Sequence, residues 1–222
     1  MILALDPAES TGYAIVNTLI DDTTSGDSTD DISSNREKKA RIIKYGHIDV
    51  KKSDVLGERC VDLRDKLSKL IDEYDIKDVV VEDYFFAHKT ANGSNNNPAF
   101  RTAIYILCVE KNISYTIVNP VVWKKHITGG FANPSKQQKD MWGKEKSKKI
   151  FIQDALWKRR RVRFPNHSIS NLTNKPIDLR YDEVDAVAQA IYYCESILNY
   201  GNVTVCDPTE DCPKMKGKYT YI

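Results

Sequence analysis

The sequence predicts an α/β fold on a mixed five-stranded sheet, three antiparallel strands followed by two parallel ones, flanked by helices. Three observations predict it. Two short apolar runs with turn residues between them open the chain, amphipathic periodicity of helical spacing follows, and β-branched runs then alternate with helical patterns. The 222 residues, 41% hydrophobic and 29% charged, suffice for one domain with an ordinary core and are too apolar for a disordered chain.

Ile2 to Leu5 form the first run, which Asp6-Pro7 ends. Gly12 to Val16 form the second, and Glu9, Ser10, Thr11 and Gly12 supply the turn of a hairpin. Residues 17–35 are polar, carry Asp21, Asp22, Asp27, Asp30 and Asp31 without a Lys or Arg, and predict an acidic loop. Ile42, Ile43, Tyr45, Ile48 and Val50 predict a third strand that closes an antiparallel meander, with His47 on an ambiguous face. Val55, Leu56, Leu63, Leu67, Leu70 and Ile71 recur at helical steps, so a helix spans about 55–74. Asp78-Val79-Val80-Val81-Glu82 reads as a buried parallel strand ending on a carboxylate. A Gly/Asn-rich stretch, 92–98, precedes a second helix over about 100–111, and Tyr115 to Val118 form a strand that Asn119-Pro120 ends. A short segment, 121–127, a Gly129-Gly130 break and one helix around 144–156 come next. The last helix covers about 181–198 with a stripe of Val184, Val187, Ile191, Cys194 and Leu198, and an irregular tail follows Tyr200.

Thirty-three basic and thirty-one acidic residues leave a net charge of +2, so bulk charge says nothing about partners. Distribution does. Between Ser135 and Phe164 eleven Lys or Arg face only Asp140, Glu145 and Asp154. Such a block gains affinity for DNA by releasing counterions from phosphates, with Arg159, Arg160, Arg161 and Arg163 placed to line a duplex arm; a solvated charged face is the plainer alternative. No run approaches the roughly 18 apolar residues of a membrane helix, and the start of the chain lacks a secretory pattern. Five cysteines without a CxxC pair fit a reducing intracellular compartment. Cys206 and Cys212 lie close in sequence, but zinc needs two more ligands that the tail does not supply, so both read as ordinary thiols. Trp123, Trp142 and Trp157 read as core or interface residues.

Asp6 ends the first strand and Glu82 the fourth; if these strands are neighbours, both carboxylates emerge at one sheet edge, where α/β sites gather. Asp182 and Asp185 stand three apart at the start of the last helix, hence on one face and near the end that favours negative charge. Singly each has an ordinary explanation, a turn former before Pro or a helix N-terminal residue. Jointly they repel, and a fold holding four carboxylates together calls for cations. Mg²⁺ suits oxygen ligands and phosphate, and two ions about 3.5–4 Å apart suit phosphodiester hydrolysis.

These residues resemble the RuvC group of Holliday junction resolvases, within the RNase H-like (retroviral integrase) superfamily. Asp6-Pro7 with Thr11-Gly12-Tyr13 resembles the family's opening hairpin, Val80-Val81-Glu82 with Phe85 its second motif, and Asp182-x-x-Asp185-Ala186 its last. Pro120, Lys124, Gly129 and Lys136-Gln137 resemble its short lysine-bearing segment. The resemblance implies an RNase H-like fold and a homodimeric endonuclease that places symmetric nicks in four-way DNA junctions with Mg²⁺ or Mn²⁺, two ions per site. Asp6, Glu82, Asp182 and Asp185 would bind the metal, and Lys124 and Lys136 would stand beside the scissile phosphate. Phe85 would stack at the junction centre, core packing being its alternative, and Lys89 and Lys125 would join the DNA-binding residues.

On that reading residues 1–200 are the nuclease domain, with an acidic insertion at about 17–41 and a basic region at about 134–164, and 201–222 are a tail. Ala8 stands where bacterial members carry Gly, and the turn is shorter. These departures fit a divergent viral or phage member acting in cytoplasm, nucleoid or host cell. Two other classes stay open. Asp-x-x-x-Ser-Thr-Gly also resembles the first phosphate loop of ASKHA-type (sugar kinase and actin-like) ATP phosphotransferases, but a second Gly-rich loop and an adenosine segment are not found. A protein that binds branched DNA without cutting is the other, and four intact carboxylates argue against it.

Overall fold

The computed structural model describes residues 1–19, 38–83, 97–143, 147–160, 162 and 181–206. Strands β1 (Ile2–Asp6), β2 (Ser10–Leu19), β3 (Lys39–Asp49), β4 (Asp78–Glu82), β5 (Ser114–Val118) and β6 (Asn202–Val205) form one sheet in the order β5-β4-β1-β2-β3-β6. β1, β2 and β3 make the antiparallel meander, while β4 and β5 add in parallel beside β1. The predicted α/β, RNase H-like sheet is therefore present, with six strands in place of five.

The sixth strand corrects the expectation of an irregular tail. β6 pairs in parallel with β3, from Lys39 opposite Asn202 to Ile42 opposite Val205. Four residues with two valines are too short for a period-two pattern to stand out. Asn17, Thr18 and Leu19 pair with Arg41, Ala40 and Lys39, so the hairpin reaches further into the polar segment than hydrophobicity indicates. The acidic loop itself, 20–37, lies outside the described residues.

Alternation along the strands divides the core in two. Leu3, Leu5, Ile15, Val79 and Val81 pack on α1 (Leu56–Glu73) and α2 (Asn97–Glu110) through Leu63, Leu67, Phe100 and Ile104. Ile2, Ala4, Ala14, Val16 and Val80 face the opposite layer, which contains α3 (Pro120–Thr128), α5 (Ser147–Arg160) and α6 (Tyr181–Tyr192). α6 lies on β1 and β2 and is roofed by α3 and α5. Val184 and residues 186–191 are accordingly all buried, the state expected of a helix covered all round. Ala4 and Ala14 below and Ala186 and Ala190 above keep the approach close.

The segment 121–127 is helical. The Asn119 side chain accepts a hydrogen bond from the Val121 amide at 2.8 Å, Pro120 opens the first turn, and Gly129 closes the helix at φ +79°. The single helix expected around 144–156 is instead two. α4 (Lys136–Trp142) starts at a reciprocal Ser135/Gln138 cap, and α5 begins at Ser147 and runs on to Arg160. α6 continues as a π-helical turn, Tyr193–Ile197. Cys60, Cys108 and Cys194 are free, but Cys206 is disulfide-bonded, contrary to its reading as an ordinary thiol; Cys212 lies outside the described residues. Among the described residues no helix is long and apolar enough to cross a membrane.

Candidate active site

The β1–β2 turn sets the first acid. Thr11 is fully buried and its hydroxyl both donates to the Ala8 carbonyl at 2.7 Å and accepts from the Ala8 amide at 3.2 Å, which folds the short turn back on itself. Asp6 then stands directly opposite Gly12, while Leu5 pairs with Val81 on the other side. One residue further, Asp6 and Glu82 end neighbouring parallel strands, about 4.8 Å apart. By alternation both share the face of Ala4 and Val80, the one α6 covers.

Gly12 brings the helix in. A Cβ at that position would lie 1.9 Å from the carbonyl oxygen of Asp182, so the first turn of α6 rests on bare backbone. Asp182 thus begins one strand spacing from Asp6. Asp185 lies one helical turn before Gln189, whose side-chain amide donates to Glu82 Oε2 at 3.3 Å. Glu183 turns the other way and pairs with His47 Nδ1 at 2.7 Å, with Asp49 at 3.5 Å from Nε2. His47 stands opposite Gly12 on β3, so this pair ties the start of α6 to the third strand.

All four predicted acids therefore gather at one end of the sheet. Their side chains are not drawn into a closed cluster: among the described residues no three His, Cys, Asp or Glu groups are arranged to hold a metal ion. Burial, and after it the charge of Asp6, push the Glu82 carboxyl up to about 7. Lys124 and Arg101 pull it the other way, as does the Trp123 indole, which donates to Oε2 at 2.9 Å. The Arg101 Nε also donates to the Glu82 carbonyl at 2.7 Å. A buried carboxyl raised by the neighbouring Asp6 carboxylate, with one oxygen accepting two hydrogen bonds, fits a hard divalent cation, which takes oxygen ligands.

Of the predicted lysines, Lys124 is half-buried, with Nζ 4.8 Å from the Trp123 ring centroid, and its charge reaches Glu82. Lys125 is exposed on the next position of α3. Lys136 is exposed in the first turn of α4 and is not among the charges acting on Glu82. Arg159 packs its guanidinium over Gly129. Arg160 is bound to Glu195 by two hydrogen bonds of 2.6 Å, which commits it within the fold. Phe85, Lys89 and Arg161 lie outside the described residues. Sequence reasoning missed Trp123, Gln189 and Arg101 as partners of Glu82. The one available signal was the spacing of Gln189, four residues after Asp185 on an otherwise apolar stripe.

Comparison with known proteins gives the family and the fold. The family profile described as crossover junction endodeoxyribonuclease RuvC matches residues 2–155. Crossover junction endodeoxyribonuclease RuvC of Helicobacter pylori is 28% identical over 129 residues, covering 58% of this chain and 70% of that protein. The fold is shared with Thermus thermophilus RuvC, at a TM-score of 0.50 and 12% identity over 87% of this chain and 95% of that one. The same protein in complex with Holliday junction substrate gives 0.51 at 11% identity, over 87% and 94%. With more than half its length matched by that profile, the chain belongs to the RuvC family of crossover junction endodeoxyribonucleases, enzymes that hydrolyse phosphodiester bonds of DNA.

Proposed function

We propose that this chain resolves four-way DNA junctions by paired symmetric nicks, acting as a homodimer with two Mg²⁺ or Mn²⁺ ions per site held by Asp6, Glu82, Asp182 and Asp185. RuvC-family nucleases depend on divalent metals, and the carrying observation here is the meeting of β1, β4 and the start of α6 at one sheet edge. When bound, the cations supply Lewis-acid activation of water and neutralise charge at the scissile phosphate.

The chain's own residues do the rest. Glu82 is held through Oε2 by Trp123 and Gln189, which leaves its other oxygen for the cation. Lys124, anchored on the Trp123 ring, brings a positive charge that stabilises the charge developing on the phosphate. Lys125 and Arg159 meet backbone phosphates on the surface beyond α3, and Lys136 extends that surface along α4. Phe85 and Lys89 follow Glu82 closely in sequence, which supports a place for them beside the scissile strand.

Labelled four-way junction, linear duplex, flap and RNA–DNA hybrid, each with and without Mg²⁺, test the reading. Paired cuts in the junction alone, only with metal, are expected. Asp6→Asn, Glu82→Gln, Asp182→Asn and Asp185→Asn should each lower cutting by at least a hundredfold while junction binding in Ca²⁺ persists. Normal cutting by all four variants refutes the assignment.

A further inference from the structure

Gln189 is fully buried in α6 between Ala186, Ala188, Ala190 and Ile191. Packing alone does not explain an amide there, because a Leu fills the same space without a polar group to satisfy. Its Nε2 makes one hydrogen bond, the 3.3 Å contact to Glu82 Oε2, and its Oε1 is buried with no hydrogen-bond partner. The Trp123 indole, also fully buried, reaches the same Glu82 oxygen from α3 at 2.9 Å. Two rigidly packed donors from two different helices thus converge on one oxygen of the carboxyl that ends β4. Two donors on one oxygen fix the rotation of the carboxyl about its last bond and leave the second oxygen out of both hydrogen bonds. Gln189 also lies one helical turn from Asp185, so the same bond ties the helix that carries Asp185 to the acid of β4.

We propose that Gln189, together with Trp123, is a positioning residue of the site: the pair clamps Glu82 Oε2 so that Oε1 is presented to the cation. The inference rests on the metal-binding reading above.

Mn²⁺ serves as the probe, its binding to the DNA-free protein followed by electron paramagnetic resonance of the unbound ion. Gln189→Leu should weaken Mn²⁺ binding five- to tenfold and shift the Mg²⁺ dependence of cutting to higher concentration by a similar factor. The KM for junction at saturating metal should stay within twofold, and the melting temperature should hold or rise. Trp123→Phe provides an independent variant that removes the second donor and should weaken Mn²⁺ binding likewise. Glu82→Gln separates the two failures. If it abolishes metal binding while Gln189→Leu and Trp123→Phe both bind Mn²⁺ like the wild type, the clamp is refuted and the site stands. If Glu82→Gln itself binds and cuts normally, both readings fall.

Discussion

A Cβ placed on Gly12 would stand 1.9 Å from the carbonyl oxygen of Asp182, a separation that backbone on both sides cannot relieve without moving. Gly12→Ala must lift the first turn of α6 or bend β2, at a cost of roughly 1–3 kcal/mol for overpacking. Melting should occur several degrees lower, at about 2–4 °C per kcal/mol for a chain of this size. Cutting should fall at least tenfold, because Asp182 and Asp185 move with the turn. A variant that melts and cuts like the wild type would show that α6 is not seated there.

Glu82 yields a second outcome at this scale. Burial and the charge of Asp6 raise its carboxyl from 4.5 to about 7, so the folded chain holds this proton more tightly than the unfolded one. In chelator, stability is therefore full below about pH 4.5 and declines as pH rises towards 7, by on the order of 3 kcal/mol. Urea denaturation across that window checks it, and Glu82→Gln should remove this component of the decline. The four acids were legible in the sequence because a carboxylate at the end of an apolar run, or paired at a helix start, stands out. Gln189 and Trp123 were not, since the spacing of a lone amide on an apolar stripe does not name its partner, and the target of an indole N–H depends on how α3 packs against β4.

At the level of elements, a basic block in sequence does not separate cations that face solvent from cations already paired. Arg160 spans from the end of α5 to Glu195 in the π-helical turn after α6, and His126 of α3 joins the same carboxylate at 2.7 Å. Three elements are tied through a Glu195 side chain that is only 10% exposed. Lys158 is likewise paired, with Asp154 at 2.8 Å. Arg160→Ala should therefore cost stability, about 1–3 kcal/mol given its partial exposure, and leave the salt dependence of junction binding nearly unchanged. Lys125→Ala should do the reverse, lowering the slope of log affinity against log salt by about one with little effect on melting. Denaturation curves and salt titrations of the two variants decide the matter; a flattened salt slope for Arg160→Ala would mean that it contacts phosphate. Helical periodicity located α1, α2 and α6 to within a few residues. It failed for α3, where Asn119, Pro120 and Gly129 carried the signal through capping, and for β6, whose pairing with β3 is a long-range event that no local pattern encodes.

For the whole molecule, the proposed paired nicks from one site per chain call for two copies, and the side of the fold away from α6 is where the second is expected. Ile106 and Val109 on α2 and Tyr115 and Ile117 on β5 are each at least 41% exposed. Tyr115 stacks on Tyr105 of α2 at 4.9 Å between ring centroids, which joins the two elements into one apolar surface. Among the described residues β5 is also an edge of the sheet, and an edge strand beside an apolar patch is a surface that seeks a partner. Ile106→Asp and Val109→Asp place charges there without touching the layer that holds the acids. In sedimentation the wild type should run at twice the 25.3 kDa chain mass, and the double variant at the chain mass itself. On a plasmid that extrudes a cruciform, the dimer should give linear product, because both strands are cut within the lifetime of one complex. The monomeric variant should give nicked circles that linearise only slowly, with each nick still Mg²⁺-dependent. A variant that stays dimeric would move the interface to another face, whereas a monomer that still linearises in a single encounter would remove the need for two copies.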